Sequence, residues 1–212
     1  MNHHIFARGG RAMTDDEFRR ELGKSKVVAV IRSGTWEDAV KLGTRAASGL
    51  GLTLIEVSWT NPDASRALRE LSDAVSVLGA GTILTPEQAE SALEAGAQFI
   101  VAPNFSEAVG RVARDRRVPY VPGVYTANEV AAACSLGFNV LKLFPAATGS
   151  PSHLRSLREP FPDVQWVPTG GVTWDSAEAW LRAGAIAVGM GTSLFNVTDA
   201  SRRIASLRNL NV

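Results

Sequence analysis

The amino-acid sequence predicts an α/β protein, a (β/α)8 TIM barrel with an extra N-terminal helix. Three observations carry this. Eight short apolar runs alternate with helical segments along nearly the whole chain. The runs are continuously apolar rather than alternating, as in parallel strands covered on both faces. The helical segments between them carry capping and stop signals. Eight βα units within 212 residues suit one barrel domain.

The elements follow in order. Residues 1–13 read as a flexible leader without the apolar stretch of a signal peptide, and 14–212 as a single barrel domain. Residues 15–22 supply the added helix. The apolar runs lie at 27–31, 52–57, 75–80, 99–102, 119–122, 140–144, 164–167 and 185–189. Thr35-Trp36-Glu37-Asp38 opens a helix, and Thr85-Pro86-Glu87-Gln88 opens another with proline in its first turn. Thr126-Ala127-Asn128-Glu129 has the capping-box spacing, and Gly137 ends that helix. Thr173-Trp174-Asp175-Ser176 opens a further one, closed by Gly184. A doubly wound open sheet is the competing architecture. It would carry a Gly-rich dinucleotide turn after the first strand, where this chain has Arg32-Ser33-Gly34-Thr35.

Net charge is +1, which gives no electrostatic case for nucleic-acid or membrane binding. No apolar run approaches the roughly 20 residues of a membrane-spanning helix. The single cysteine, Cys134, excludes an internal disulfide, suits a reducing cytoplasm and reads as a small core residue. Two of three histidines (His3, His4) fall in the leader and the third is His153, so a His-rich metal site is not expected.

Polar residues at the C-terminal ends of barrel strands are where chemistry is expected. Lys142 stands out, because only four lysines exist and the other three lie near the N-terminus. It interrupts Val140-Leu141-Lys142-Leu143-Phe144, a run that otherwise reads as a buried strand. A desolvated lysine is pushed toward the neutral amine that attacks carbonyls. The plainer reading is a strand-end lysine whose head reaches water. Glu56, between Ile55 and Val57, is the second anomaly: either a salt-bridge partner for Lys142 or Arg32, or a general acid or base. Thr169-Gly170-Gly171 follows the seventh run and Gly189-Met190-Gly191-Thr192-Ser193 the eighth, the usual barrel position for phosphate. Glycines there allow backbone N–H groups to approach an anion.

Taken together, Val28 to Arg32, Ile55 to Ser58, Gly79-Ala80-Gly81-Thr82, Pro122 to Thr126, Leu141 to Pro145, Pro168 to Val172 and Gly189 to Thr192 resemble the 2-keto-3-deoxy-6-phosphogluconate (KDPG) aldolase / 4-hydroxy-2-oxoglutarate (KHG) aldolase family. The resemblance runs from about Lys26 to Leu207. It implies a class I (Schiff-base) aldolase that yields pyruvate and glyceraldehyde 3-phosphate, with no cofactor and no metal. It implies Lys142 as the imine-forming lysine, Glu56 as the proton shuttle, and Arg32 and Thr82 at the carboxylate or pyruvyl end. It implies phosphate at Gly170, Gly171, Gly191 and Thr192, with Thr169 beside it, Phe144 against the lysine and Pro103 near the pocket. A homotrimer follows from the same resemblance, and the single cysteine points to the cytoplasm. The chain departs from some members by having Thr60 where they carry an arginine, and Ala147 where they carry a glutamate. Thr60 and Tyr125 are therefore the expected points of discrimination between this substrate and 2-keto-3-deoxy-6-phosphogalactonate or 4-hydroxy-2-oxoglutarate. A phosphosugar isomerase or epimerase on the same barrel is the alternative from another class.

Overall fold

The computed structural model describes residues 13–210, so nearly all of the expected leader lies outside the described residues. Helix α1 (Asp15–Ser25) confirms the added N-terminal helix; Thr14 and Glu17 close it with a capping box, and it ends at Lys26 in the left-handed conformation. Strands follow as β1 (Val27–Ile31), β2 (Leu54–Ser58), β3 (Val77–Gly81), β4 (Phe99–Val101), β5 (Tyr120–Val121), β6 (Gly123–Val124), β7 (Val140–Leu143), β8 (Gln165–Trp166) and β9 (Val188–Met190). Between them run α2 (Trp36–Thr44), α3 (Ala64–Leu71), α4 (Pro86–Glu94), α5 (Glu107–Arg116), α6 (Ala127–Ser135), α7 (Pro151–Arg158) and α8 (Trp174–Arg182), and α9 (Ala200–Arg208) follows β9. The α/β alternation expected from the sequence is present throughout.

The strands are parallel and fall in two sheets, of order β5-β4-β3-β2-β1-β9 and β6-β7-β8. The fifth apolar run is thus two short strands rather than one. Pro122 stands between them; it has no N–H for a ladder, and only its carbonyl is used, accepting from Lys142 N at 2.9 Å. The segment 120–124 therefore pairs with β4 on one side and β7 on the other. At the other edge, Ile186 N donates to Trp166 O at 3.0 Å and Gly189 N to Pro168 O at 2.9 Å, linking β8 to β9. The first run matches its strand; the second, third, fourth, sixth, seventh and eighth form strands shorter than, or shifted from, their apolar extent.

Two apolar cores follow from the strand period of two. One lies between strands and helices, with Val27, Ala29, Ile31, Ile55 and Val57 among its members. The other lies inside the curled sheet: Val28, Leu54, Val77, Val140 and Val167, plugged at the N-terminal end by Phe18 and Leu22 of α1. The Phe18 and Phe99 rings are 4.9 Å apart there. This plug is why α1 is needed. Trp180 joins the outer core, whereas Trp174 and Cys134 are only partly buried against it.

Candidate active site

The interior face sets the site in layers. On β2, Leu54, Glu56 and Ser58 share a face by alternation; on β7, Val140 and Lys142 do. Leu54 and Val140 belong to the apolar plug, so Glu56 and Lys142 form the layer above it. Both are buried, at 3% and 5% exposure. Lys142 Nζ lies 4.0 Å from Glu56 Oε1 and 5.0 Å from the Phe144 ring centre. Glu56 Oε1 has no hydrogen-bond partner among the described residues. A buried, unpartnered carboxylate oxygen costs on the order of 1–3 kcal/mol or more and is the kind of exception that marks a working group.

Glycine makes the room. In register, Glu56 faces Gly79 and Ser58 faces Gly81. A Cβ at Gly81 would fall within 3.0 Å of Oε1, Cδ and Cγ of Glu56, and one at Gly79 would run into the Phe99 ring. Likewise a Cβ at Gly189 would meet Thr169 Oγ1. The polar layer therefore needs Gly81 and Gly189 as much as it needs its charged members.

An open cleft of about 300 Å3 lies above Lys142, lined among others by Arg32, Phe144, Thr169, Gly170, Gly171, Gly191 and Thr192. Eight of the eleven site residues expected from the sequence (these seven and Lys142) thus meet on one cleft. Glu56 lies beneath it, facing a small interior space shared with Lys142. Thr82 and Pro103 do not line the cleft. Thr82 directly follows β3 beside Ser58, and the Pro103 backbone packs where Gly123 has no side chain. A larger cavity of about 410 Å3 sits among the start of α1 and the ends of α5 and α6. It contains no buried ionisable pair, so size alone does not locate the chemistry.

The rim of the cleft suits an anion. Gly170 and Gly171 have φ of 87° and 83°, and their N–H groups donate to nothing else among the described residues. A Cβ would strike Phe144 from Gly170 and Ala147 from Gly171. Ala147 N in turn donates to Gly170 O at 2.8 Å, which braces the loop. Arg32 is exposed, lines the cleft and forms no ion pair or hydrogen bond among the described residues, so its charge is available to a ligand.

Three supporting residues, Asn61, Ser58 and Thr173, were not expected at the site, and Ser193 was expected only as part of the anion loop. Asn61 is 4% exposed; its Nδ2 donates to Ile31 O at 3.1 Å and its Oδ1 accepts from Ser33 N at 2.8 Å, so it grips the backbone on both sides of Arg32. Ser58, fully buried, is within 3.0 Å of Thr82 Oγ1 and 2.8 Å of Thr60 Oγ1. Thr173 and Ser193 line the cleft, and Ser193 Oγ donates to Val172 O. Thr82 has φ of 59°, a conformation that costs a β-branched residue about 1–3 kcal/mol and recurs at functional sites.

A buried amine beside a buried carboxylate, under a cleft whose rim suits an anion, is the arrangement a lysine-dependent aldolase, a carbon–carbon lyase, requires. The family model described as KDPG and KHG aldolase matches residues 18–205, and the chain belongs to this family. It is 35% identical over 161 residues to the 2-dehydro-3-deoxy-phosphogluconate aldolase of Pseudomonas aeruginosa, covering 74% of this chain and 73% of the relative. It is 30% identical over 186 residues to the 2-dehydro-3-deoxy-6-phosphogalactonate aldolase of Escherichia coli, covering 86% and 90%. A solved KDPG aldolase from Legionella pneumophila, with pyruvate captured at low pH as a covalent carbinolamine, superposes with a TM-score of 0.75 at 28% identity, over 90% of this chain and 95% of that one.

Proposed function

We propose that the chain cleaves 2-keto-3-deoxy-6-phosphogluconate to pyruvate and glyceraldehyde 3-phosphate through an imine on Lys142. The observation that carries this is the buried Lys142–Glu56 pair at 4.0 Å, with Glu56 Oε1 accepting no hydrogen bond among the described residues. The neutral Lys142 amine adds to the C2 carbonyl, forming a C–N bond and a carbinolamine. Loss of water gives the iminium, which draws electrons from the C3–C4 bond. Glu56 accepts the C4 hydroxyl proton; the bond breaks, its electron pair enters the enamine, and the aldehyde leaves. Protonation at C3 and hydrolysis of the imine return pyruvate and free Lys142. The 4.0 Å gap exceeds a hydrogen bond, so proton traffic between the two groups passes through a water or the substrate.

In this reading Arg32 and Thr82 hold the carboxylate end, with Pro103 behind them. Thr169, Gly170, Gly171, Gly191 and Thr192 take the phosphate, and Phe144 screens the amine from water. A second reading, an aldolase for the galactonate epimer or for 4-hydroxy-2-oxoglutarate, is favoured by Thr60, which leaves Arg32 as the one arginine lining the cleft among the described residues. Residues 14–212 form one (β/α)8 domain in this account, supported by the backbone hydrogen bonds that join segment 120–124 to both neighbours and β8 to β9. The family resemblance supports the homotrimer, which light scattering would read as three chains, and the single cysteine supports a cytoplasmic setting. Steady-state retro-aldol assays on the three keto acids test the assignment. It requires kcat/KM for the gluconate substrate to exceed both others by at least about tenfold, the equivalent of 1.4 kcal/mol. A higher value for either competitor replaces it.

A further inference from the structure

Three hydroxyls stand in a row at the top of β2: exposed Thr60, buried Ser58 and half-buried Thr82. Ser58 Oγ is 2.8 Å from Thr60 Oγ1 and 3.0 Å from Thr82 Oγ1. Each hydroxyl has one proton, and each contact uses one. Ser58 is fully buried and touches no other acceptor among the described residues, so its proton must lie in one of the two contacts. Two arrangements result. If Ser58 donates to Thr82, Thr60 donates to Ser58, and the Thr82 proton is free to point outward. If Ser58 donates to Thr60, the Thr82 proton is spent on Ser58, and Thr60 donates to solvent instead.

We propose that Ser58 is a positioning residue that decides whether Thr82 can donate to the substrate, and that Thr60 competes for its proton. This rests on the reading that Thr82 holds the carboxylate of the keto acid. Ser58 never touches substrate; it acts through the strained Thr82, whose φ of 59° leaves little freedom to find another partner. Thr60 thereby acts on carboxylate binding through Ser58 rather than through a direct contact with the anion. Binding of the carboxylate selects the arrangement with Thr82 pointing outward.

Pyruvate methyl-proton exchange into D2O, followed by NMR, reads this step without the aldehyde. S58A removes the donor that holds the Thr82 hydroxyl with its proton outward, so the KM for pyruvate rises about 3- to 10-fold, the range of one neutral hydrogen bond, with kcat within about threefold. S58C fills the same space but donates weakly, so its KM rises with that of S58A; packing alone would predict wild-type behaviour. T60V removes the competing acceptor, so its KM stays level or falls. S58A/T60V matches S58A. Thr60 is exposed, so T60V reports even if the Ser58 variants fold poorly. A KM for T60V raised as far as that of S58A, or an S58A value unchanged while T82V is raised, overturns the role of Ser58. A T82V value equal to wild type overturns the carboxylate reading of Thr82 itself.

Discussion

Gly81→Ala adds one methyl group 25 residues from Glu56 in sequence, yet its Cβ would lie within 3.0 Å of Oε1, Cδ and Cγ of that residue. Glu56 cannot retreat: it is 3% exposed, and its strand is paired on both sides, with β1 and β3. The carboxylate must therefore swing by an ångström or more. Displacement of a catalytic group on that scale costs about 100-fold in rate. Overpacking costs a further 1–3 kcal/mol of stability, or about 2–4 °C of Tm for each kcal/mol at this chain length. A coupled assay of pyruvate release from the phosphogluconate substrate, run beside a thermal melt, reads both. The expectation is kcat down about 100-fold in a protein that still melts cooperatively, matched by E56Q and not worsened in the double variant. A G81A enzyme within threefold of wild-type kcat would show that the placement of Glu56 does not matter to the chemistry.

Other outcomes follow from the same geometry. R32A removes the free cation of the cleft and should raise KM for keto acids by about 10- to 100-fold, the range of a charged hydrogen bond, with a smaller penalty at high salt. N61A leaves Arg32 in place but frees the backbone on both sides of it; KM should rise more than kcat falls, and the stability lost should be about 1–3 kcal/mol, measured by urea unfolding. For Glu129, partial burial works against ionisation, but hydrogen bonds from Thr126 N, Tyr125 N and Thr126 Oγ1 prevail and hold its carboxyl below the ordinary 4.5. A depressed carboxylate stabilises fully above its unfolded value and loses that contribution as pH falls through the folded one. The difference in Tm between wild type and E129A should therefore be constant above about pH 6 and close as acid is added below 4.5; a gap independent of pH refutes the capping role.

The parts of this molecule legible in sequence were those written in local pattern. Continuous apolar runs, capping boxes and the Gly-Gly step gave the βα alternation and the rim of the cleft. Lys142 and Glu56 were visible because a charge in an apolar strand contradicts its surroundings. What stayed hidden depends on register. That Gly81 faces Ser58 and clears Glu56, that Gly189 clears Thr169, and that Asn61 spans Ile31 and Ser33 are facts about neighbouring strands. Pro122 splitting the fifth run was readable in principle, since proline cannot donate to a ladder. Ser58 was legible only as the end of a motif segment; its meeting with two threonines, one on its own turn and one after the neighbouring strand, left no mark in the sequence.

Reduction of the enzyme with borohydride in the presence of pyruvate, followed by peptide mass spectrometry, tests the central claim most directly. The buried Lys142 should carry the reduced pyruvyl adduct at close to one per chain, with loss of activity in proportion, and K142A should carry none. An adduct on Lys24, Lys26 or Lys41, or inactivation with Lys142 unmodified, would contradict the account.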